Sequence, residues 1–206
     1  MTRPQDVVRA GYDAIGERYH AWSHTGPTRL RMVELVLGEL PPASVVVDLG
    51  CGPGDPATRL LSEAGHHVLG VDLSRGQLDI ARRLAPRATL VQADLTAFAL
   101  APASVDAVVS FYATGHLPAA AHAPLYAAVA DWLRPGGLLL TSAPLGAGDG
   151  GEADWLGVPM FFGGIGVEAT LGAVEDARLA VDSAEVVVED EAGTERFLWV
   201  VARRRR

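Results

Sequence analysis

From residue 45 onward the chain alternates short runs rich in Val and Leu with helical stretches. This rhythm limits the fold more than any other feature. VVVDL (45–49) precedes a helix from about 56 to 64, and HVLGVD (67–72) precedes another from about 75 to 84. TLVQAD (89–94) and VDAVVSF (105–111) follow, then a helix around 120–133, and GLLLTS (137–142) comes after the sharp turn RPGG. Apolar runs of this length with helices between them predict parallel strands buried on both faces. The end departs from the rhythm. EVVVED (185–190) and FLWVVA (197–202) are separated only by EAGTER, too short for a helical crossover, so these two strands pair antiparallel. The expected fold class is α/β, a seven-stranded, mostly parallel sheet with an antiparallel last strand between two helical layers.

Ahead of the first strand, Val8, Tyr12, Ile15, Tyr19 and Trp22 recur at spacings of four and three, one face of an amphipathic helix. A second helix is expected from 28 to 40, stopped by Pro41 and Pro42. Residues 1–40 therefore read as a helical cap on a core spanning 41–206, within one domain of 206 residues. The Gly-rich stretch LGAGDGGEADWLG (145–157) reads as the mobile loop of the chain.

A net charge of −8 argues against nucleic-acid binding through a broad basic field. The one basic block, Arg203 to Arg206, reads as a solvated end. No uninterrupted apolar stretch of about 18 residues predicts a membrane span. The first residues carry charges throughout and do not read as a secretory signal, so the expected location is the cytoplasm. The single cysteine, Cys51, excludes an intrachain disulfide and a four-cysteine zinc site. His20 and His24 are spaced i, i+4 but lack an evident third ligand, so no metal is expected.

The segment VVVDLGCGPGDPATRLL (45–61) places Gly50, Gly52 and Gly54 on alternate positions after a strand. A dinucleotide loop needs G-x-G-x-x-G with the pyrophosphate on the helix N-terminus. Here the third glycine comes one residue early and Asp55 stands where glycine is required. An acid there suits a helix start and repels a pyrophosphate. No Lys-Ser or Lys-Thr follows, so it is not a P-loop either. Asp48, Asp72 and Asp94 each end one of three successive strands, which gathers them at one edge of a parallel sheet. Asp72 stands where a carboxylate accepts both hydroxyl hydrogens of a ribose, and Ser74-x-x-Gln77 after it reads as a capping box.

These residues resemble motif I (VVDLGCGPG) of the class I S-adenosylmethionine-dependent methyltransferases, in their type 11/25-like small-molecule branch. VDLS (71–74), QADL (92–95), VDAVVSFYATGHL (105–117) and LRPGGLLL (133–140) are similar to the segments that follow it, and YDAIGERYHAW (12–22) to the N-terminal helix. The resemblance implies a Rossmann-like three-layer αβα sandwich that binds S-adenosylmethionine and releases S-adenosylhomocysteine. It implies that Gly50 and Gly52 let the methionine part lie against the main chain, near Asp48, with Cys51 a small filler inside the loop. By the same resemblance Asp72 holds the ribose, Leu73 packs on the adenine, Asp94 and Leu95 meet the adenine edge, and Phe111 walls the pocket.

Methyl transfer from a sulfonium is an in-line displacement on an activated donor, so positioning supplies much of the rate, up to about 7–11 kcal/mol. His116 is the candidate base, or otherwise orients the substrate or caps the following helix. Tyr12 and Tyr19, seven apart on one helical face, read either as a lid or as packing. Trp155 and MFFGG (160–164) add apolar surface for an acceptor pocket. A chain this short and acidic favours a small-molecule substrate, of the kind found in secondary metabolism, and a monomer or homodimer. Two other readings stay open: an enzyme that retains the sulfonium for cyclisation or decarboxylation, and a non-catalytic binding subunit.

Overall fold

A computed structural model describes residues 2–23, 27–188 and 196–206. Three helices open the chain: α1 (Pro4–Ile15), α2 (Glu17–Ser23) and α3 (Pro27–Glu39). Then come β1 (Val45–Leu49), α4 (Ala57–Glu63), β2 (His67–Asp72), α5 (Arg75–Leu84), β3 (Thr89–Gln92) and β4 (Val105–Ser110). A 3₁₀ turn (Ala113–His116) leads to α6 (Ala119–Trp132) and β5 (Leu133–Pro144). β6 (Ala147–Trp155), β7 (Val158–Ile165), α7 (Val167–Asp176), β8 (Leu179–Val188) and β9 (Arg196–Arg204) complete it.

Seven strands form one sheet in the order β3-β2-β1-β4-β5-β9-β8. All neighbours are parallel except β9, which runs antiparallel to both β5 and β8. Side chains alternate across a strand, and the two core clusters divide accordingly. Val47, Val108, Leu139 and Val200 pack with Tyr126, Val129 and Val174 of α6 and α7. Val46, Ala107, Leu138 and Trp199 pack with Met32, Val33 and Val36 of α3 and Leu61 of α4. The third helix therefore belongs to a core layer, and only α1 and α2 cap the site.

Four details differ from the sequence reading. The first helix is two helices, because Gly16 takes a left-handed φ of 48° that no helix continues through. The Gly-rich stretch is not a loop but β6, paired antiparallel with β7 in a separate hairpin. Its residues are exposed on both faces, so no hydrophobic alternation marked it as a strand. The hairpin is fastened at Asp149, whose Oδ1 accepts the Ala119 N–H at 2.7 Å and so caps α6 from outside. A helix, α7, precedes the last strands, and β8 begins at Leu179; residues 189–195 of the expected strand and turn lie outside the described residues. The basic end is partly tied down. Arg203 lies in β9 and bonds Asp182 at 3.0 Å and Glu39 at 2.7 Å.

Candidate functional site

The parallel strands place Asp72 and the loop after β1 at one edge of the sheet, where α1 crosses above them. Between them lies a cavity of about 660 Å³ including its open mouth. It brings together Gly50, Gly52, Asp72, Leu73, Asp94, Leu95, Phe111, Tyr12, Tyr19 and His116. Asp48 and Cys51 are not among its walls. They face a smaller adjoining recess, with Arg29, Tyr19 and Asp55.

The glycine loop uses its donors internally. The N–H groups of Gly50 and Cys51 both go to the Val71 carbonyl, at 2.7 and 3.0 Å, and that of Gly54 to the Cys51 carbonyl at 2.9 Å. The Gly52 N–H goes to Asp72 Oδ2 at 2.8 Å. A phosphate cradle needs such groups free, so this loop is not one. Its first two glycines differ in what surrounds them. A side chain at Gly50 would run into Ala113, whereas one at Gly52 would meet nothing nearer than Tyr19 at 3.7 Å. Asp55 does not cap α4; it pairs with Arg59 at 2.8 Å.

Asp72 is fixed from behind, its Oδ1 taking the Ser74 N–H at 2.8 Å. Burial pushes this carboxyl up to about 6, against the backbone hydrogen bonds that favour its charge. Ser74 N-caps α5 by accepting the Gln77 N–H at 3.1 Å. The Gln77 side chain does not close a capping box; it donates to the carbonyls of Tyr12 and Gly16. Asp13 reaches from α1 to accept the Ser74 hydroxyl at 2.6 Å and the Gly76 N–H at 2.9 Å. These bonds clamp the cap onto the start of α5. Asp94 braces its own turn by accepting both donors of Thr96, at 2.9 and 2.7 Å.

His116 is held between α1 and the hairpin. Its Nε2 lies 2.7 Å from the Tyr12 hydroxyl and its Nδ1 2.9 Å from the Phe161 carbonyl. It does not cap α6, which Asp149 does. Burial pushes its pKa down to about 4, against the Phe161 carbonyl, so the ring is neutral at pH 7. The Tyr12 ring meets those of Tyr19, His116 and Trp155 edge-on, at 5.0, 5.2 and 5.6 Å, so the two tyrosines both line the cavity and pack.

Arg29 escapes the sequence reading. It stands i, i+3, i+4, i+7 with Met32, Val33 and Val36, a cation on the buried face of α3, and that placement is the signal that would have found it. Its guanidinium lies 4.2 Å over the Tyr112 ring. Burial works against its charge, and the hydroxyls of Tyr19 and Tyr112 outweigh it, raising the pKa. Asp13, the reach of Gln77 to the cap and the Phe161 carbonyl likewise escape that reading, since these roles depend on contacts between distant elements.

Asp48 is 3% exposed, its Oδ2 accepting the Thr58 hydroxyl at 2.6 Å. Burial raises its pKa from 3.8 to about 6. The folded protein then holds this proton more tightly than the unfolded chain does. The resulting stability is fully present below about pH 4 and is lost as the pH rises through about 6. Asp48→Asn keeps the acceptor for Thr58 and removes the buried charge. We expect it to exceed the parent in stability at pH 8 by on the order of 3 kcal/mol, with about half of that gap left at pH 5. Denaturant unfolding at both pH values measures this, and an equal gap at both would refute it.

Among the described residues no three His, Cys, Asp or Glu side chains gather as a metal site, and His24 lies outside them. No described helix is long and apolar enough to cross a membrane. Residues 46–137 match a family described as "Methyltransferase domain". A trans-aconitate 2-methyltransferase of Azoarcus sp. (strain BH72) is 41% identical over 120 residues, 56% of this chain and 46% of that protein. A dTDP-3-amino-3,4,6-trideoxy-alpha-D-glucopyranose N,N-dimethyltransferase of Streptomyces venezuelae is 32% identical over 110 residues, 53% of this chain and 46% of that protein. The chain thus spans about half the length of these curated relatives. The crystal structure of an S-adenosylmethionine dependent methyltransferase from Mesorhizobium loti superposes with a TM-score of 0.68 at 28% identity, covering 83% of this chain and 96% of that one.

Proposed function

Because the chain belongs to the class I S-adenosylmethionine-dependent methyltransferases, we propose that it methylates a small organic acceptor on oxygen, nitrogen or carbon. The observation that carries this reading is the Asp72 carboxylate. It borders the cavity beside a glycine loop whose donors are already engaged, an arrangement that suits the hydroxyls of a ribose and not a pyrophosphate.

The other walls fit the same group. Leu73 and Phe111 offer apolar faces for a purine, and Asp94 and Leu95 an edge. In the recess, the half-buried Arg29 suits a carboxylate, and Asp48 and Asp55 suit an ammonium, the two charges of an amino acid. When bound, the cofactor supplies a methyl group already activated by its sulfonium. This chain's task is then to exclude water, orient the acceptor and receive any proton that the acceptor loses. Tyr12 and Tyr19 close the cavity from the cap, and His116, neutral and in contact with Tyr12, is the base or orienter.

The relatives' names point to a polycarboxylate in one case and an amino sugar in the other, and both are small molecules. We place the reaction in the cytoplasm, where a lone buried thiol stays reduced, in a monomer or homodimer acting in secondary metabolism.

Titration calorimetry tests the cofactor: S-adenosylmethionine and S-adenosylhomocysteine should bind and NAD should not. Methyl-labelled donor with a panel of acceptors should then move label into product. Binding of NAD alone, or a bound donor whose label never leaves it, would overturn the reading.

A further inference from the structure

We infer that the cavity, where Tyr12 and His116 line it, selects for an acceptor that brings its own O–H or N–H proton, and that the Phe161 carbonyl imposes this through His116 and Tyr12. The inference rests on the function proposed above and deepens it to a substrate class.

The argument is one of donors and acceptors. A carbonyl oxygen only accepts, so the His116 Nδ1 that lies 2.9 Å from Phe161 must carry the ring's hydrogen. A neutral imidazole has one N–H, so Nε2 presents a lone pair. The Tyr12 hydroxyl 2.7 Å away must therefore donate to it. Tyr12 has one proton and has committed it. What remains on the Tyr12 oxygen is acceptor capacity, and Tyr12 and His116 both line the cavity.

Hydrogen bonds run one way, from Tyr12 through His116 to the Phe161 carbonyl.

An alcohol, phenol or amine completes this chain by donating to Tyr12. A carboxylate cannot, because it has no proton to offer. To accommodate it, Tyr12 must turn its proton away, His116 must switch to the Nε2–H tautomer, and the Nδ1 lone pair must then face the Phe161 carbonyl. Leaving buried groups mispaired is how hydrogen-bonding sites reject close analogues. The chain is expected to discriminate against carboxylates such as trans-aconitate.

Phe161 sits in β7, so the hairpin sets the tautomer and His116 is a positioning residue. Two measurements on the full chain saturated with S-adenosylhomocysteine test this. Two-bond ¹H–¹⁵N correlations at pH 7.5, with His116 assigned through His116→Gln, should show the Nδ1–H form. An Nε2–H or doubly protonated ring overturns the proposal, and this readout needs no acceptor. Phenol and benzoate then serve as matched probes. Phenol should bind at least tenfold more tightly, and Tyr12→Phe, re-saturated with S-adenosylhomocysteine according to its own measured Kd, should bring the ratio near one. Benzoate binding as well as phenol, or a preference that survives in Tyr12→Phe, overturns it. Failure of S-adenosylhomocysteine itself to bind would instead overturn the proposed function.

Discussion

Replacing Asp72 by Ala is expected to weaken S-adenosylhomocysteine binding by about 10- to 100-fold, or ~1.5–3 kcal/mol, the value of hydrogen bonds to a charged acceptor. Two roles of the carboxylate have to be separated. Its Oδ1 and Oδ2 hold the Ser74 and Gly52 N–H groups, so the alanine variant also leaves two backbone donors without their acceptor. Asp72→Asn keeps the size and one acceptor, and its binding should still fall by at least about tenfold, because a single carbonyl oxygen cannot serve the Gly52 and Ser74 N–H groups and two ribose hydroxyls together. The melting temperature of each variant is measured alongside. Parental affinity in Asp72→Asn would reduce the carboxylate to a brace for the loop.

The same residue sets a pH dependence. Burial raises its pKa to about 6 in the folded protein, and the ribose hydroxyls favour the ionised form. Affinity should therefore be full above about pH 7 and fall as the pH drops through 6, and in Asp72→Asn this part of the profile should be flat.

How far the sequence revealed this site depends on what each residue touches. β1, β2 and β4 were legible because they are buried on both faces and read as apolar runs. Asp72 and the glycine loop were legible because Asp72 turns onto Ser74 two residues on, and because β1 and β2 are consecutive parallel neighbours, which brings Gly52 to Asp72. β6 was not, since a strand exposed on both faces has no periodicity to read. The tautomer of His116 was the furthest from reach. Its residue type was visible at 116, but the group that fixes its hydrogen is a main-chain oxygen 45 positions away, and every residue has one of those. Side-chain chemistry is written in the sequence; which backbone atom it meets is written in the topology. Asp48 shows a third case. Its position at a strand end was correct, yet the strand's alternation turns it toward Thr58 and away from the main cavity.

The glycines of the loop separate these levels experimentally. Gly50 has φ 72° and Gly52 φ 53°, so alanine at either must adopt a left-handed conformation, which costs about 1–2 kcal/mol. Only at Gly50 does the added methyl enter space already filled, by the Cβ of Ala113 at the start of the 3₁₀ turn that carries His116. Overpacking there adds about 1–3 kcal/mol. Gly50→Ala is therefore expected to lose about 2–5 kcal/mol, a drop of roughly 5–15 °C in Tm for a domain of this size. Gly52→Ala should lose less than half of that, and should instead impair ligand binding, because its methyl would project toward the cavity. The steric share can be isolated. Ala113→Gly removes the opposing methyl, so Gly50→Ala combined with Ala113→Gly should recover about 1–3 kcal/mol relative to the sum of the single changes. A Tm for Gly50→Ala within about 2 °C of the parent, or additive behaviour in the pair, would show that the loop yields without moving the turn. Recovery in the double variant would show that Gly50, besides bordering the cavity, lets the turn that carries His116 close onto the glycine loop.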